Sequence, residues 1–172
     1  IIGGNGASKS TLLGLTSRLL KPTKGSVTLN GKALSDYKPK DLAQKMAILT
    51  QSQSLQARLT VRELVTFGRF PYHQGRPNQE DIKLIDEAIE FFELKTLQHR
   101  YLDQLSGGQK QRAFIAMVFA QDSDYVLLDE PLNNLDMKHS RIMMKLIRKA
   151  ADESGKRVIV VLHDINFASI YS

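Results

Sequence analysis

The run Gly3-Gly4-Asn5-Gly6-Ala7-Ser8-Lys9-Ser10-Thr11 constrains this chain more than any other feature. A phosphate group is held by inward-facing backbone N–H groups at a helix start, a mobile positive charge and, where a divalent cation assists, a hydroxyl. The run offers all three, through its glycines, Lys9 and Ser10. It follows the apolar Ile1-Ile2 and precedes Ser10 to Leu20, where Leu12, Leu13, Leu15, Leu19 and Leu20 predict a helix ended by Lys21-Pro22. That is the strand, loop and helix order a phosphate-binding loop requires. Ser8 breaks the pattern, because glycine is expected immediately before the lysine. If that position needs angles open mainly to glycine, serine carries strain of about 1–3 kcal/mol and crowds a bound nucleotide.

Further along, Gly25 to Leu34 reads as a hairpin, with Asn30-Gly31 supplying the positive backbone angles of a type I′ turn. Pro39 is suited to begin a helix reaching Lys45, and Met46 to Leu49 reads as a strand. From Thr60 to Leu102 the pattern is helical. Asn78 caps a helix over Asp81 to Leu94 whose buried face is expected to carry Ile82, Ile85, Ile89 and Phe92. Helices are predicted over Ser106 to Ala120 and from Met137 to a terminating Gly155. Arg157 to Leu162 reads as a central parallel strand buried on both faces. Ile1-Ile2 reads as the tail of a strand whose earlier residues are absent.

Three more clusters carry chemistry. Leu105-Ser106-Gly107-Gly108-Gln109 puts a hydroxyl and two glycines at a helix start, where N–H groups and the positive dipole end can face an anion. Tyr125 to Leu128 ends in Asp129-Glu130, two carboxylates at the carboxyl edge of a strand, where open α/β sheets bind ligands. His163 ends the apolar strand beginning at Arg157.

Phosphate loop, second glycine loop, acidic strand end and histidine, in this order and from the first residues to His163, resemble the ATPase subunit of ABC transporters. The resemblance implies an α/β P-loop NTPase fold with a mainly parallel sheet flanked by helices and an inserted helical subdomain, truncated at both ends. Residues 1–59 and 103–172 would form the core with the signature helix, and 60–102 the helical insert. It implies that Gly3, Asn5, Gly6, Ala7, Ser8, Lys9, Ser10 and Thr11 bind ATP, with Lys9 on the β- and γ-phosphates. Ser10, Asp129 and Gln51 would serve Mg²⁺, with Gln53 and Gln56 as neighbours that compete for the Gln51 role. Glu130 would be the general base, with His163 and Gln51 orienting water. Ser106, Gly107, Gly108, Gln109 and Asp136 would close over ATP held by a second copy, so a single chain is catalytically incomplete.

Thr60-Val61-Arg62-Glu63-Leu64-Val65 with Phe67-Gly68-Arg69-Phe70-Pro71-Tyr72, and the run Leu132 to His139, resemble the ATPases of iron-siderophore, haem and cobalamin importers, siderophore importers most. The implied partners are a second ATPase subunit, transmembrane permease subunits and, indirectly, a substrate-binding protein, at the cytoplasmic face of the cell membrane. Two alternatives stay open: a degenerate nucleotide-binding subunit, favoured by Ser8 and by the clipped ends, and a soluble ABC-type ATPase of iron-sulfur assembly or DNA repair, against which the resemblance of Thr60 to Tyr72 to importer ATPases argues. The net charge of +6 does not point to nucleic acid, because its Lys and Arg are dispersed without a basic block or interleaved aromatics. The absence of cysteine excludes disulfides and thiolate metal sites. No apolar run approaches the ~20 residues of a membrane helix.

Overall fold

The computed structural model describes residues 1–4, 8–51, 57–133, 135–163, 167 and 169–170. Its first helix, α1, spans Lys9–Thr16 and stops four residues short of the expected Leu20. Arg18 turns left-handed at φ 63°, and the Leu20 amide donates back to the Gly14 carbonyl at 2.9 Å, folding the last leucines out of the helix. The hairpin follows as expected. Strands β1 (Thr28–Leu29) and β2 (Lys32–Ala33) pair antiparallel, and Asn30 and Gly31 take φ 51° and 79°, both positive as a type I′ turn demands.

Helix α2 (Pro39–Lys45) and strand β3 (Met46–Leu49) fall on their predicted bounds, with proline at the helix start where no N–H is needed. Helices α3 (Val61–Gly68), α4 (Phe70–His73), α5 (Gln79–Phe91) and α6 (Gly107–Ala120) come next, then strand β4 (Tyr125–Asp129), helix α7 (Met137–Ser154) and strand β5 (Arg157–Val161). Gly155 closes α7 at φ 65°, as its position predicts. The helical segment between β3 and α6 leaves and returns at one place, because Thr60 and Tyr101 form an antiparallel bridge.

The site depends on the parallel sheet. β3 pairs with β4 and β4 with β5, all parallel, and Ile2 bridges Leu162 in the same sense. The carboxyl ends of all these segments therefore lie along one edge. β4 is the buried centre, with Val126, Leu127 and Leu128 at most 1% exposed. The expectation that β5 is buried on both faces is corrected: Arg157 and Ile159 face outward, Ile159 at 38% exposure, while Val161 is buried. That outward face is thus open at the start of β5, at Arg157 and Ile159, and covered at its carboxyl end, where Val161 packs with Leu13 and Leu127.

Helices α3, α5 and α6 pack against one another and share a core with β3, β4 and α7. On α5 the structure replaces one expected core residue. Ile85, Ile89 and the following Phe92 are buried, but Ile82 is 41% exposed. The first-turn position of the buried face belongs to Asp81, whose carboxylate takes Arg69 Nε at 2.9 Å, both side chains being almost fully buried. Asp81 also accepts the Asn78 N–H, while Asn78 caps Asp81 in return. Arg69 donates further to the carbonyls of Ala120 and Gln121 and lies over the Tyr72 ring at 3.8 Å.

Burial pushes the Asp81 carboxyl up, but the Asn78 N–H and the Arg69 guanidinium together outweigh it and hold it below the usual carboxylate range. Stability from this group is thus complete above its unfolded pKa and is lost as pH falls through the lower native value. Asp81→Asn should lower stability at neutral pH and flatten its fall between about pH 5 and 3, read by urea unfolding; an unaltered acid slope would contradict this account. Gly68 lets α3 touch α6, since a Cβ there would meet the Met117 carbonyl oxygen at 2.0 Å. Gly68→Ala should therefore cost about 3 kcal/mol or more, seen as a lowered Tm, because the atom in the way is backbone.

Candidate nucleotide site

The phosphate-binding loop leaves the sheet after Ile2, and α1 starts at Lys9 with its N-terminus at the sheet edge. Lys9 is 7% exposed, and its ammonium donates to the carbonyl oxygens of Gly3 at 2.8 Å and Gly4 at 2.9 Å. A buried ammonium needs such partners. These carbonyl oxygens are neutral, and an ammonium bonds anionic oxygens more strongly. Ser8 caps α1 with left-handed backbone, φ 55° and ψ 27°, and makes no side-chain cap bond. The sequence concern about this position thus meets a backbone that glycine would enter without penalty. Asn5, Gly6 and Ala7 lie outside the described residues, as do Gln53 and Gln56.

Ser10 Oγ donates to Asp129 Oδ1 at 3.2 Å, which joins the helix start to the end of β4. Among the described residues no three His, Asp or Glu side chains converge on a metal site. One hydroxyl beside one carboxylate is instead a sparse oxygen set, suited to Mg²⁺, which keeps waters and takes phosphate oxygens as its other ligands.

Glu130 leaves the strand with a positive φ of 51°, its N–H donating to the Val161 carbonyl of β5. This kink turns its side chain into a ring of polar groups drawn from three strand ends. Gln51 Nε2 donates to Oε2 at 2.8 Å, Asn133 Nδ2 donates to the same oxygen at 2.6 Å, and His163 Nε2 contacts Oε1. Glu130 is 8% exposed. Gln51, Asp129, Glu130, His163, Lys9 and Ser10 are therefore brought together along one edge, whereas the second glycine loop forms a separate feature.

There, Ser106 Oγ accepts the Gln109 N–H and Gln109 Oε1 accepts the Ser106 N–H, a reciprocal cap on α6. The cap satisfies those two N–H groups and leaves the N–H groups of Gly107 and Gly108 at the positive end of a long helix. Beside Gly108 stands the ring of His139, whose Nδ1 meets both oxygens of Asp136, the cap of α7. The His139 backbone N–H, and next its ring, hold the exposed Asp136 carboxyl below its ordinary range. Asp136 and the second loop thus share one surface.

Sequence reasoning assigned no role to Asn133. The signal was an amide three residues after a strand-end carboxylate, the spacing at which one turn returns a side chain to its start; the Asn133 N–H indeed donates to the Glu130 carbonyl at 3.1 Å.

A glycine-rich loop, a lysine folded onto it, and a serine–aspartate pair at the carboxyl edge of a parallel sheet define an α/β P-loop nucleotide-binding domain. The ABC transporter family model matches residues 1–133, and the chain belongs to that family, in the class of its ATPase subunits. It is 56% identical over 171 residues to the petrobactin import ATP-binding protein YclP of Bacillus subtilis, a match covering 99% of this chain and 68% of that protein. It is 42% identical over 174 residues to the iron(3+)-hydroxamate import ATP-binding protein FhuC of the same organism, covering 100% of this chain and 65% of the relative. The chain thus spans about two thirds of the length of these relatives. The dimeric post-hydrolysis structure of the ATP-binding cassette MJ0796, bound to ADP and Pi, superposes with a TM-score of 0.81 at 34% identity, covering 97% of this chain and 75% of that one.

Replacing Ser8 by glycine should add about 1 kcal/mol of stability by relieving the left-handed backbone, and should raise ATP affinity or turnover. Thermal unfolding and a nucleotide titration read the two effects; an unchanged Tm together with unchanged hydrolysis would show that the loop accommodates serine.

Proposed function

We propose that this chain hydrolyses ATP with Mg²⁺ to drive a membrane permease that imports ferric siderophore. The observation that carries the hydrolytic part is the buried Glu130 carboxylate, held by Gln51, Asn133 and His163 one residue from the Asp129–Ser10 pair. Lys9 exchanges the carbonyl oxygens of Gly3 and Gly4 for phosphate oxygens and anchors them. Bound Mg²⁺ would neutralise phosphate charge, held by Ser10 and Asp129, with Gln51 near it. Glu130 accepts the proton of the water that attacks the γ-phosphorus, and the bond to ADP breaks as phosphate leaves. His163 faces the oxygen that takes that proton and keeps the attacking water in line.

The similarity to petrobactin and iron(3+)-hydroxamate import proteins supports the siderophore class of cargo. Phe67 and Phe70, each 51% exposed, flank an open groove of about 690 Å³ lined also by Leu42, Met46 and Pro71, which suits a permease segment. No described helix is long and apolar enough to cross a membrane, so attachment at the cytoplasmic face would run through that permease, itself fed by a substrate-binding protein. The return of the chain at Thr60 and Tyr101 supports treating 60–102 as an inserted helical subdomain. Ser106 to Gln109 and Asp136 would meet ATP held by a second copy, as the dimeric likeness supports. The left-handed Ser8 favours a second reading, a subunit that binds nucleotide without efficient turnover.

Lys9→Ala should abolish ATP binding, because its ammonium contacts ground-state phosphates. Glu130→Gln should bind ATP with nearly unchanged affinity, lose turnover by at least about a hundredfold, and sediment as a dimer with ATP and Mg²⁺. A Glu130→Gln protein that stays monomeric at saturating ATP would remove the shared site and favour the non-hydrolytic subunit.

A further inference from the structure

We infer that Asn133 is a positioning residue for Glu130, fixing which carboxylate oxygen receives the proton of the attacking water. The inference rests on the hydrolytic role of Glu130 proposed above. Glu130 Oε2 carries two amide donors, from Gln51 at 2.8 Å and Asn133 at 2.6 Å, whereas Oε1 faces His163. A carboxylate with both amide donors on one oxygen cannot rotate about its terminal bond without breaking them; they occupy both lone pairs of Oε2, whereas Oε1 has His163 alone against it and is the oxygen left to act as base. Both donors are neutral and leave the negative charge on the carboxylate, as a base requires.

The two donors differ in how they are anchored. Gln51 reaches Glu130 from beyond β3, across the sheet. Asn133 sits in the same turn, tied through its own N–H to the Glu130 carbonyl at 3.1 Å, so its amide is delivered locally. That turn also contains the positive φ of Glu130, and Pro131 and Leu132 complete it. The side chain of Asn133 thus reads the geometry of the kink that aims the base.

The test is steady-state hydrolysis, equilibrium ATP binding and thermal unfolding on Asn133→Ala, Asn133→Ser and the wild type. Asn133→Ala should lower kcat about tenfold, the worth of one hydrogen bond to a charged group, with KM and ATP affinity unchanged and the protein still fully folded at the assay temperature. Asn133→Ser keeps a donor at that position and should recover most of the rate. In a Glu130→Gln background, Asn133→Ala should cause no further loss in single-turnover hydrolysis, since a residue acting through Glu130 has nothing left to position. Unchanged kcat in Asn133→Ala, a loss of ATP affinity or Tm that accounts for the rate, no recovery in Asn133→Ser, or full additivity with Glu130→Gln would each overturn the inference. A wild-type protein that binds ATP and never turns it over would overturn the hydrolytic role of Glu130 and this inference together, whereas wild-type turnover that Asn133→Ala leaves intact defeats only the latter.

Discussion

The parallel pairing of β3, β4 and β5 is the constraint on which the site depends. Its register places Leu49 opposite Leu128 and Asp129 opposite Val161, so the ends of three strands and the bridge at Ile2 finish along one edge. A slip of one residue would turn every side chain of β4 to the opposite face. Asp129 would then lose Ser10 and Glu130 its ring of amides and imidazole. Packing on the two buried faces of β4 opposes such a slip, because Val126 and Leu128 fit the core shared with the helices whereas Leu127 packs with Leu13 and Val161.

On that edge, charge and backbone strain are combined. Lys9 and the carboxylates of Asp129 and Glu130 are all nearly buried, a costly arrangement that persists because each has hydrogen-bond partners. Two non-glycine residues at the edge, Ser8 and Glu130, occupy left-handed backbone. At Glu130 the kink serves the chemistry by taking the side chain out of the strand alternation. At Ser8 the serine side chain makes no compensating cap bond. One position thus converts strain into orientation, while the other carries it without a visible return.

Local chemistry made much of this fold readable in the sequence. Pro39 marked the start of α2, Asn30-Gly31 the hairpin turn, Asn78 the cap of α5 and Gly155 the end of α7, because each acts within a few residues of itself. The misreadings arose where a side-chain partner or a backbone turn overrode the apolar spacing. Ile82 fits the periodicity of α5, yet the ion pair of Asp81 with Arg69 takes the buried place beside it. Leu19 and Leu20 continue the spacing of α1, but the left-handed Arg18 and the returning Leu20 amide end the helix first. The apolar run of β5 could not reveal that its outward face is exposed at Arg157 and Ile159 and covered only at Val161. At the site, glycine loops and strand-end acids were legible by spacing. The grip of Asn133 on Glu130 was not, since it depends on how the turn folds.

On the reading proposed above, one working site would draw its phosphate loop from one chain and its second glycine loop from another. Lys9→Ala and Ser106→Arg each destroy one half, and a mixture contains heterodimers in which the intact Lys9 and intact Ser106 face each other. Measured ATP hydrolysis of the mixture, against each variant alone, tests this directly. Two inactive proteins should regain part of the wild-type rate on mixing. A mixture as inactive as its components, with heterodimers shown to be present, would contradict it.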